Sequence, residues 1–149
     1  MDIRKITDKV SVSAQIAADD LADIKAAGFR AIICNRPDGE GADQPGFDEI
    51  EAAARKVGLV AAYLPVASSG VTDENVADFG AVIKDLPRPL LGYCRSGTRS
   101  AILWSLHEAQ KRPLSEILAA TKAAGYDMNG VAQRLASGGK TPTDTGDAF

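Results

Sequence analysis

Strand-like and helix-like segments alternate along much of this chain, and the alternation constrains the fold more than any other feature. Four short runs of β-branched and apolar residues have the length of strands and lie near Gly or Pro. They cover residues 10–12, 31–34, 59–64 and 90–93. Between them, apolar residues recur with helical spacing around residues 21–27, 47–57 and 76–86. This pattern predicts a largely parallel sheet with helices on both faces and ligand sites beyond the carboxyl ends of the strands.

The rest of the chain is expected to be helical until its last residues. An almost wholly apolar segment over 101–110 predicts a buried central helix, and further helices are expected over 114–124 and 127–136. The 149 residues, 45% of them hydrophobic, suffice for one core of ordinary size. We therefore expect a single α/β domain over residues 1–137. The Gly-, Thr- and Asp-rich residues 138–149 have too little apolar surface to offset ordering entropy, so a mobile tail is expected there.

Charge and cysteine usage argue against several classes of partner. The net charge is −3 and the basic residues are scattered, which gives no basis for binding nucleic acid or an acidic membrane surface. No apolar run approaches the ~20 residues that span a bilayer, and no signal-peptide core follows the first residues. We expect a cytoplasmic protein. Its two cysteines, Cys34 and Cys94, are expected to be thiols and are too few for a four-cysteine zinc site.

Cys94 directly follows the fourth strand and begins the sequence Cys-Arg-Ser-Gly-Thr-Arg, residues 94–99, which we name the Cys94 loop. A glycine-containing loop between a strand and a helix points several backbone N–H groups at one spot, and such a spot binds an anion. The same groups stabilise a sulfur as thiolate. Cys94 is therefore the predicted nucleophile, and the planar guanidinium of Arg99 is predicted to hold the anion through two bonds.

The other residues of this segment have supporting roles in the prediction. Gly97 lets the backbone turn where a Cβ would obstruct it, and Arg95 adds positive potential for anionic substrates. Ser96 and Thr98 contribute loop amides to the anion site. Ser100 is predicted to hydrogen-bond the sulfur or its leaving group.

Residues outside the loop give weaker indications. Arg36 and Asp38 follow a strand at the ligand edge and are candidates for the substrate pocket, with further loop carboxylates at Asp43 and Asp73. Cys34 is expected to be a small buried hydrophobe; the alternative is that it passes on a persulfide or forms a disulfide with Cys94. The only histidine, His107, lies several helical turns from the loop, so no Cys–His dyad is predicted.

Two resemblances follow from these residues. The segment Tyr-Cys-Arg-Ser-Gly-Thr-Arg-Ser at 93–100 resembles the active-site loop of single-domain rhodaneses, which implies sulfur transfer. Residues 12–16, 35–40 and 43–45 resemble the phosphatase-like domain of beta-lactamase hydrolase-like proteins, over about residues 2–112. That resemblance implies the fold of dual-specificity phosphatases. It also implies a possible partner, because some members are fused to a sulfur dioxygenase of metallo-beta-lactamase fold.

Two features favour sulfur over phosphorus. Only four residues separate Cys94 from Arg99, whereas dual-specificity phosphatases have a longer loop, so the anion site should be tighter than one for a phosphate ester. Those phosphatases also carry a general-acid Asp after a strand, where residues 64–69 hold no carboxylate. General-acid help contributes ~10²–10⁴ in rate to a poor leaving group, but sulfite or a thiolate leaves unaided.

The sequence therefore predicts a sulfurtransferase that forms a Cys94 persulfide from thiosulfate or glutathione persulfide and needs no cofactor or metal. The alternative is a protein tyrosine or dual-specificity type phosphatase that acts on a phosphate ester through a phosphocysteine. In that case Asp38, Asp43 or Asp73 would supply the proton. A third interpretation is a non-catalytic module that binds an anion or a persulfide.

Overall fold

One mixed sheet of five strands forms the centre of the computed structural model, which describes residues 1–139. The strands are β1 (Ile3–Lys5), β2 (Val10–Ser13), β3 (Ala31–Cys34), β4 (Val60–Tyr63) and β5 (Leu90–Tyr93). Their order across the sheet is β1-β2-β5-β3-β4, and only the pairing of β1 with β2 is antiparallel. The predicted α/β fold with a mostly parallel sheet is confirmed.

Six α-helices within the described residues flank this sheet. They are α1 (Leu21–Ala26), α2 (Phe47–Lys56), α3 (Asp73–Lys84), α4 (Thr98–Glu108), α5 (Leu114–Ala123) and α6 (Ala132–Ala136). Helices α1 and α2 pack on one face, and α3 to α6 pack on the other. Successive strand residues point to opposite faces, so Ile33 and Leu90 enter one core while Ile32 and Leu91 enter the other.

The register of the central strand fixes where the site lies. Tyr93 of β5 is paired with Ser13 of β2 on one side and with Cys34 of β3 on the other. All of β5 is buried, as expected of a parallel strand covered on both faces. Cys94, the next residue, therefore lies at the edge of the sheet where the loops after β2 and β3 also begin.

Helix α4 starts immediately after the Cys94 loop. It begins at Thr98, earlier than the expected start at residue 101, with Gly97 as its N-cap. The helix also approaches the sheet closely, because a Cβ added to Gly92 of β5 would lie 3.4 Å from the Cβ of Ser100. The first turn of α4 thus lies against the strand that precedes Cys94, at a distance where an added Cβ would make an ordinary van der Waals contact.

Other boundaries differ from the sequence expectations for local reasons. Strand β1 has one half-buried and two exposed residues, so no apolar run reveals it. The prediction of a helix over 127–136 is wrong for residues 127–131, which precede α6. There the Asp127 carboxylate accepts from the backbone N–H of Asn129 at 2.8 Å, which favours a turn. A 3₁₀ turn at Asn129–Val131 precedes α6.

The expected mobile tail, residues 138–149, falls outside the described residues except for Gly138 and Gly139. Among the residues that are described, no helix is long and apolar enough to cross a membrane.

Candidate active site

Cys94 sits at the carboxyl end of β5 with its side chain enclosed. Its residue exposure is 0%, and its backbone N–H donates to the carbonyl of Ser13 at 3.4 Å. The N–H of Gly97 turns back and donates to the Cys94 Sγ at 3.1 Å. Gly97 has a φ of 93°, a left-handed conformation that glycine adopts readily. A loop amide is therefore directed at a sulfur that belongs to a fully buried residue.

Arg99, on the first turn of α4, is held by three hydrogen bonds. Its Nη1 donates to Glu40 Oε2 at 2.6 Å and to the carbonyl of Val66 at 2.8 Å, and its Nη2 donates to Glu40 Oε1 at 2.8 Å. These bonds use the Nη1–Nη2 edge of the guanidinium. The edge formed by Nε and Nη2 is the one that remains suited to a bound anion.

Glu40 organises the charges around the site, and sequence reasoning did not select it. Its carboxylate also accepts from Arg36 Nε at 3.0 Å, and Arg36 Nη1 donates to Gln15 Oε1 at 3.1 Å. Hydrogen bonding from Arg99 lowers the pKa of Glu40 to about 2, so this carboxylate is ionised at neutral pH. The same bond raises the pKa of Arg99, and the nearby Cys94 sulfur acts in the same direction.

Arg36, a predicted pocket residue, is thus linked to Arg99 by Glu40, which accepts hydrogen bonds from both. The side chains of Arg36 and Arg99 are only 10% and 11% exposed, and that of Glu40 is 21% exposed. A carboxylate shared by two poorly hydrated guanidinium groups restricts the orientation of each of them. The sequence signal that was available is the position of Glu40 four residues after Arg36, at the ligand edge of the sheet.

Ser100 ties three elements together rather than donating to the sulfur. Its hydroxyl donates to Asn35 Oδ1 at 2.8 Å, and Asn35 Nδ2 donates to the carbonyl of Leu64 at 2.9 Å. Asn35 is 0% exposed, so these bonds satisfy its buried amide. In this conformation the proton of the Ser100 hydroxyl is committed to Asn35. The role predicted for Ser100 at the sulfur would require that hydroxyl to rotate.

The remaining loop residues lie on the outer side. Ser96 Oγ donates to Thr98 Oγ1 at 3.0 Å, and the side chains of both residues are part of the exposed surface with Arg95. The carbonyl of Arg95 accepts from the backbone N–H of Gln15 at 3.3 Å. This contact joins the Cys94 loop to the segment that follows β2.

The three aspartates considered as pocket residues have different surroundings. Asp38 Oδ1 accepts from the backbone N–H of Phe47 at 2.9 Å, at the start of α2. Asp43 lies exposed on the same loop. Asp73 contacts Arg134 Nη2 at 3.2 Å and lines a separate cavity of about 420 Å³ between α3 and α4. The lining of that cavity includes none of residues 94–99, so the place of Asp73 in a pocket with the Cys94 loop stays a prediction.

Cys34 and His107 are placed in packed surroundings. Cys34 is 2% exposed, belongs to the core beneath α1 and α2, and donates from Sγ to the carbonyl of Arg36 at 3.3 Å. Burial raises the pKa of its thiol. His107 packs edge-on against Phe79 with 5.7 Å between ring centroids, and burial lowers its pKa. Cys34 is thus buried as the sequence predicts, and His107 contacts α3.

Tyr126, beyond the end of α5, is a further contact of the loop that sequence reasoning missed. Its hydroxyl donates to the carbonyl of Ser96 at 3.2 Å, and a Cβ at Gly97 would overlap that hydroxyl. Ser96 and Tyr126 also border a cavity of about 240 Å³. No cluster of three or more metal-ligating side chains occurs within residues 1–139. The Cys94 loop thus has the Gly97 N–H on its inner side and Tyr126 on its outer side.

The fold and this site define a cysteine-dependent protein of the phosphatase-like class. Residues 2–111 match the family model of the beta-lactamase hydrolase-like protein, phosphatase-like domain, and the chain belongs to that family. Among curated relatives, the beta-lactamase hydrolase-like protein of Xylella fastidiosa is 34% identical over 130 residues, which is 86% of this chain. The corresponding Agrobacterium fabrum protein is 29% identical over 126 residues. This chain spans about 30% of the length of these relatives.

Solved structures agree with this placement. A candidate phosphatase of Neisseria meningitidis superposes with a TM-score of 0.82 at 32% identity, covering 93% of this chain and 99% of that one. The kinase-associated phosphatase superposes with a TM-score of 0.66 at 13% identity, covering 85% of this chain and 83% of that one. The second likeness shows the fold alone. The expected relation to dual-specificity phosphatase folds is confirmed.

Proposed function

We propose that this domain is a sulfurtransferase that carries sulfane sulfur as a Cys94 persulfide. The observation that carries the proposal is that Glu40, the carboxylate beside Arg99, accepts from the guanidinium groups of Arg99 and Arg36 through its two oxygens. Glu40 has a pKa of about 2, so at neutral pH it has no proton to give to a leaving group. A reaction whose leaving group needs no proton suits this site best.

The other carboxylates near the sheet edge do not replace a general acid in this conformation. Residues 64–69 contain no Asp or Glu, and the carbonyl of Val66 in that segment accepts from Arg99. Asp38 Oδ1 accepts the backbone N–H of Phe47 at the start of α2, so this contact holds the carboxylate on α2. Asp43 is exposed and would have to move towards Cys94. Hydrolysis of a phosphate ester would therefore lack a carboxylic acid positioned to protonate the alcohol that leaves. Sulfite and thiolate leaving groups need no such proton.

The proposed reaction has two steps. The Cys94 thiolate attacks the outer sulfur of thiosulfate, a Cys94 Sγ–S bond forms, and the sulfur–sulfur bond of thiosulfate breaks with release of sulfite. The persulfide then occupies the anion site, where the Gly97 N–H and the Nε–Nη2 edge of Arg99 stabilise its negative charge. An acceptor thiolate attacks the outer sulfur, forms an acceptor persulfide and restores the Cys94 thiolate. Such a sequence is a ping-pong mechanism.

A phosphatase is the second candidate, and the similarity to phosphatase folds favours it. There the Cys94 thiolate would attack phosphorus, expel the alcohol or phenol, and leave a phosphocysteine that water hydrolyses. A binding module without turnover remains the third candidate. In the proposed function, glutathione persulfide or another low-molecular-weight persulfide would pass to a sulfur dioxygenase of metallo-beta-lactamase fold. The greater length of the curated relatives leaves room for such a fused domain.

The mass of the intact protein separates these functions. Wild-type protein incubated with thiosulfate or glutathione persulfide should gain one sulfur atom, and cyanide or a thiol should remove it repeatedly. Cys94→Ser should gain none, and Cys34→Ser, a matched control, should behave as wild type. A phosphoryl adduct from an aryl phosphate without any sulfur gain would reject the proposal in favour of the phosphatase. A stable persulfide that no acceptor discharges would indicate the binding module.

A further inference from the structure

One peptide unit connects Tyr126 to the nucleophile. The carbonyl of Ser96 and the N–H of Gly97 belong to the same peptide group. The carbonyl accepts from the Tyr126 hydroxyl at 3.2 Å, and the N–H donates to Cys94 Sγ at 3.1 Å. In a planar trans peptide these two groups point in opposite directions. A contact that holds the carbonyl on the outside therefore directs the N–H towards the sulfur inside.

This peptide unit needs an external contact to keep its orientation. Gly97 adopts a φ of 93°, and glycine has little steric preference between this and other conformations. Rotation of the Ser96–Gly97 peptide would turn a carbonyl dipole, instead of an N–H, towards the Cys94 sulfur. A thiolate or persulfide at that position would be destabilised by the change.

Tyr126 is itself well fixed. Helix α5 ends at Ala123, and the backbone N–H of Tyr126 donates to the carbonyl of Thr121 at 2.9 Å. Arg4, which pairs with Asp2, donates from Nη1 to the carbonyl of Ala124 at 3.4 Å. These contacts hold the turn that carries Tyr126 against the Cys94 loop.

The hydroxyl of Tyr126 is also in the correct state to donate. Burial is the main cause that raises its pKa, with the nearby Cys94 sulfur and Asp2 acting in the same direction and Arg4 opposing them. It therefore stays protonated at neutral pH. A hydrogen bond to a peptide carbonyl also polarises the N–H of the same unit and makes it a stronger donor.

We propose that Tyr126 is a positioning residue that locks the Ser96–Gly97 peptide with its N–H on Cys94 and so stabilises the reactive thiolate. The role lies outside the matched family region, which ends at residue 111. It concerns the nucleophile itself and does not depend on whether sulfur or phosphorus is transferred. The bond of 3.2 Å is longer than most hydroxyl hydrogen bonds, so the effect should be moderate.

The test is the pH profile of alkylation of Cys94 by iodoacetamide, measured by intact mass in a Cys34→Ser background. In Tyr126→Phe the midpoint should move to higher pH by about a few tenths to one unit, the equivalent of one net hydrogen bond. Alkylation below the midpoint should slow by about two- to tenfold. Ser105→Ala, the matched control, removes a buried hydroxyl that donates to the carbonyl of Ala101 within α4. Its profile should stay at the wild-type position.

With these two variants, the proposal would be overturned by a Tyr126→Phe profile that superimposes on wild type, or by a Ser105→Ala profile that moves equally far. Incorporation of 3-fluorotyrosine at position 126 keeps the hydroxyl and the ring, so it does not rely on the phenylalanine variant folding. A more acidic hydroxyl is a stronger donor, and the midpoint should then move to lower pH. An unchanged midpoint in that protein, with an unchanged Gly97 amide signal in NMR spectra, would also reject the role of Tyr126.

Discussion

Glu40 and Arg99 are joined by two short hydrogen bonds, of 2.6 and 2.8 Å, although 59 residues separate them in the sequence. Glu40 lies on the loop after β3, and Arg99 lies on α4 after β5. These neighbouring parallel strands bring both loops to one edge of the sheet. The pair therefore fixes the guanidinium that faces the anion site.

Glu40→Gln should lower kcat/KM by about tenfold to a hundredfold, because a guanidinium of Arg99 that is no longer held in place would orient the substrate less well for reaction. The amide can accept one bond but cannot hold two cationic nitrogens with a full negative charge. Steady-state kinetics with thiosulfate and cyanide would measure the loss. Glu51→Gln is the matched control, since Glu51 contacts Arg55 at 3.8 Å on the exposed side of α2. Equal activity of the two variants would show that Glu40 does not position Arg99.

The stability of the protein should depend on Glu40 at low pH. Folding lowers the pKa of this carboxyl from 4.5 to about 2, so the unfolded state binds the proton more readily. The contribution to the free energy of unfolding is complete above about pH 4.5 and is lost as the pH falls towards 2. Urea unfolding between these values should show a steeper loss for wild type than for Glu40→Gln. Parallel curves for the two proteins would contradict this linkage.

Arg99→Lys should not behave as a conservative change. Lysine offers one compact charge and cannot bond Glu40, Val66 and an anion at the same time through a planar fork. We expect a fall of at least about tenfold in kcat/KM, as for loss of a transition-state clamp. Arg112→Lys is the control, because Arg112 bridges Glu108 and Glu116 at 2.7 Å each, near the end of α4. A change within about twofold at position 99 would mean that Arg99 is structural.

Much of the fold and the nucleophile follow from local sequence patterns. The strand that ends at Tyr93 and the loop after it are contiguous, so the placement of Cys94, Gly97 and Arg99 could be predicted. The contact of Arg99 with Glu40 and that of Gly97 with Tyr126 could not be predicted, because each joins elements that are far apart in the chain. Glu40 in particular could not be predicted as an anchor for a guanidinium, because no local pattern links a carboxylate to an arginine 59 residues away.

The choice between sulfur and phosphorus can be tested by the dependence on the leaving group. With Glu40 ionised and residues 64–69 free of carboxylates, neither Glu40 nor this segment offers a proton to an alkoxide. The purified domain should therefore turn over thiosulfate or glutathione persulfide much faster than any phosphate ester. Para-nitrophenyl phosphate, whose phenolate departs readily, is expected to react slowly. Phosphoserine should react at least ~10²-fold more slowly still, the usual contribution of a general acid.

The comparison needs both substrate classes on one preparation, with Cys94→Ser as the background rate. Asp38→Asn and Asp43→Asn test the two carboxylates of the loop that also carries Glu40. If the domain transfers sulfur, the reaction with thiosulfate needs no proton donor. Both variants should then keep the wild-type rate with thiosulfate. If phosphoserine hydrolysis is the faster reaction and one of these variants abolishes it, that aspartate moves in as the general acid. The short Cys94 loop would then be compatible with phosphate, and the phosphatase would replace the sulfurtransferase as the function of this domain.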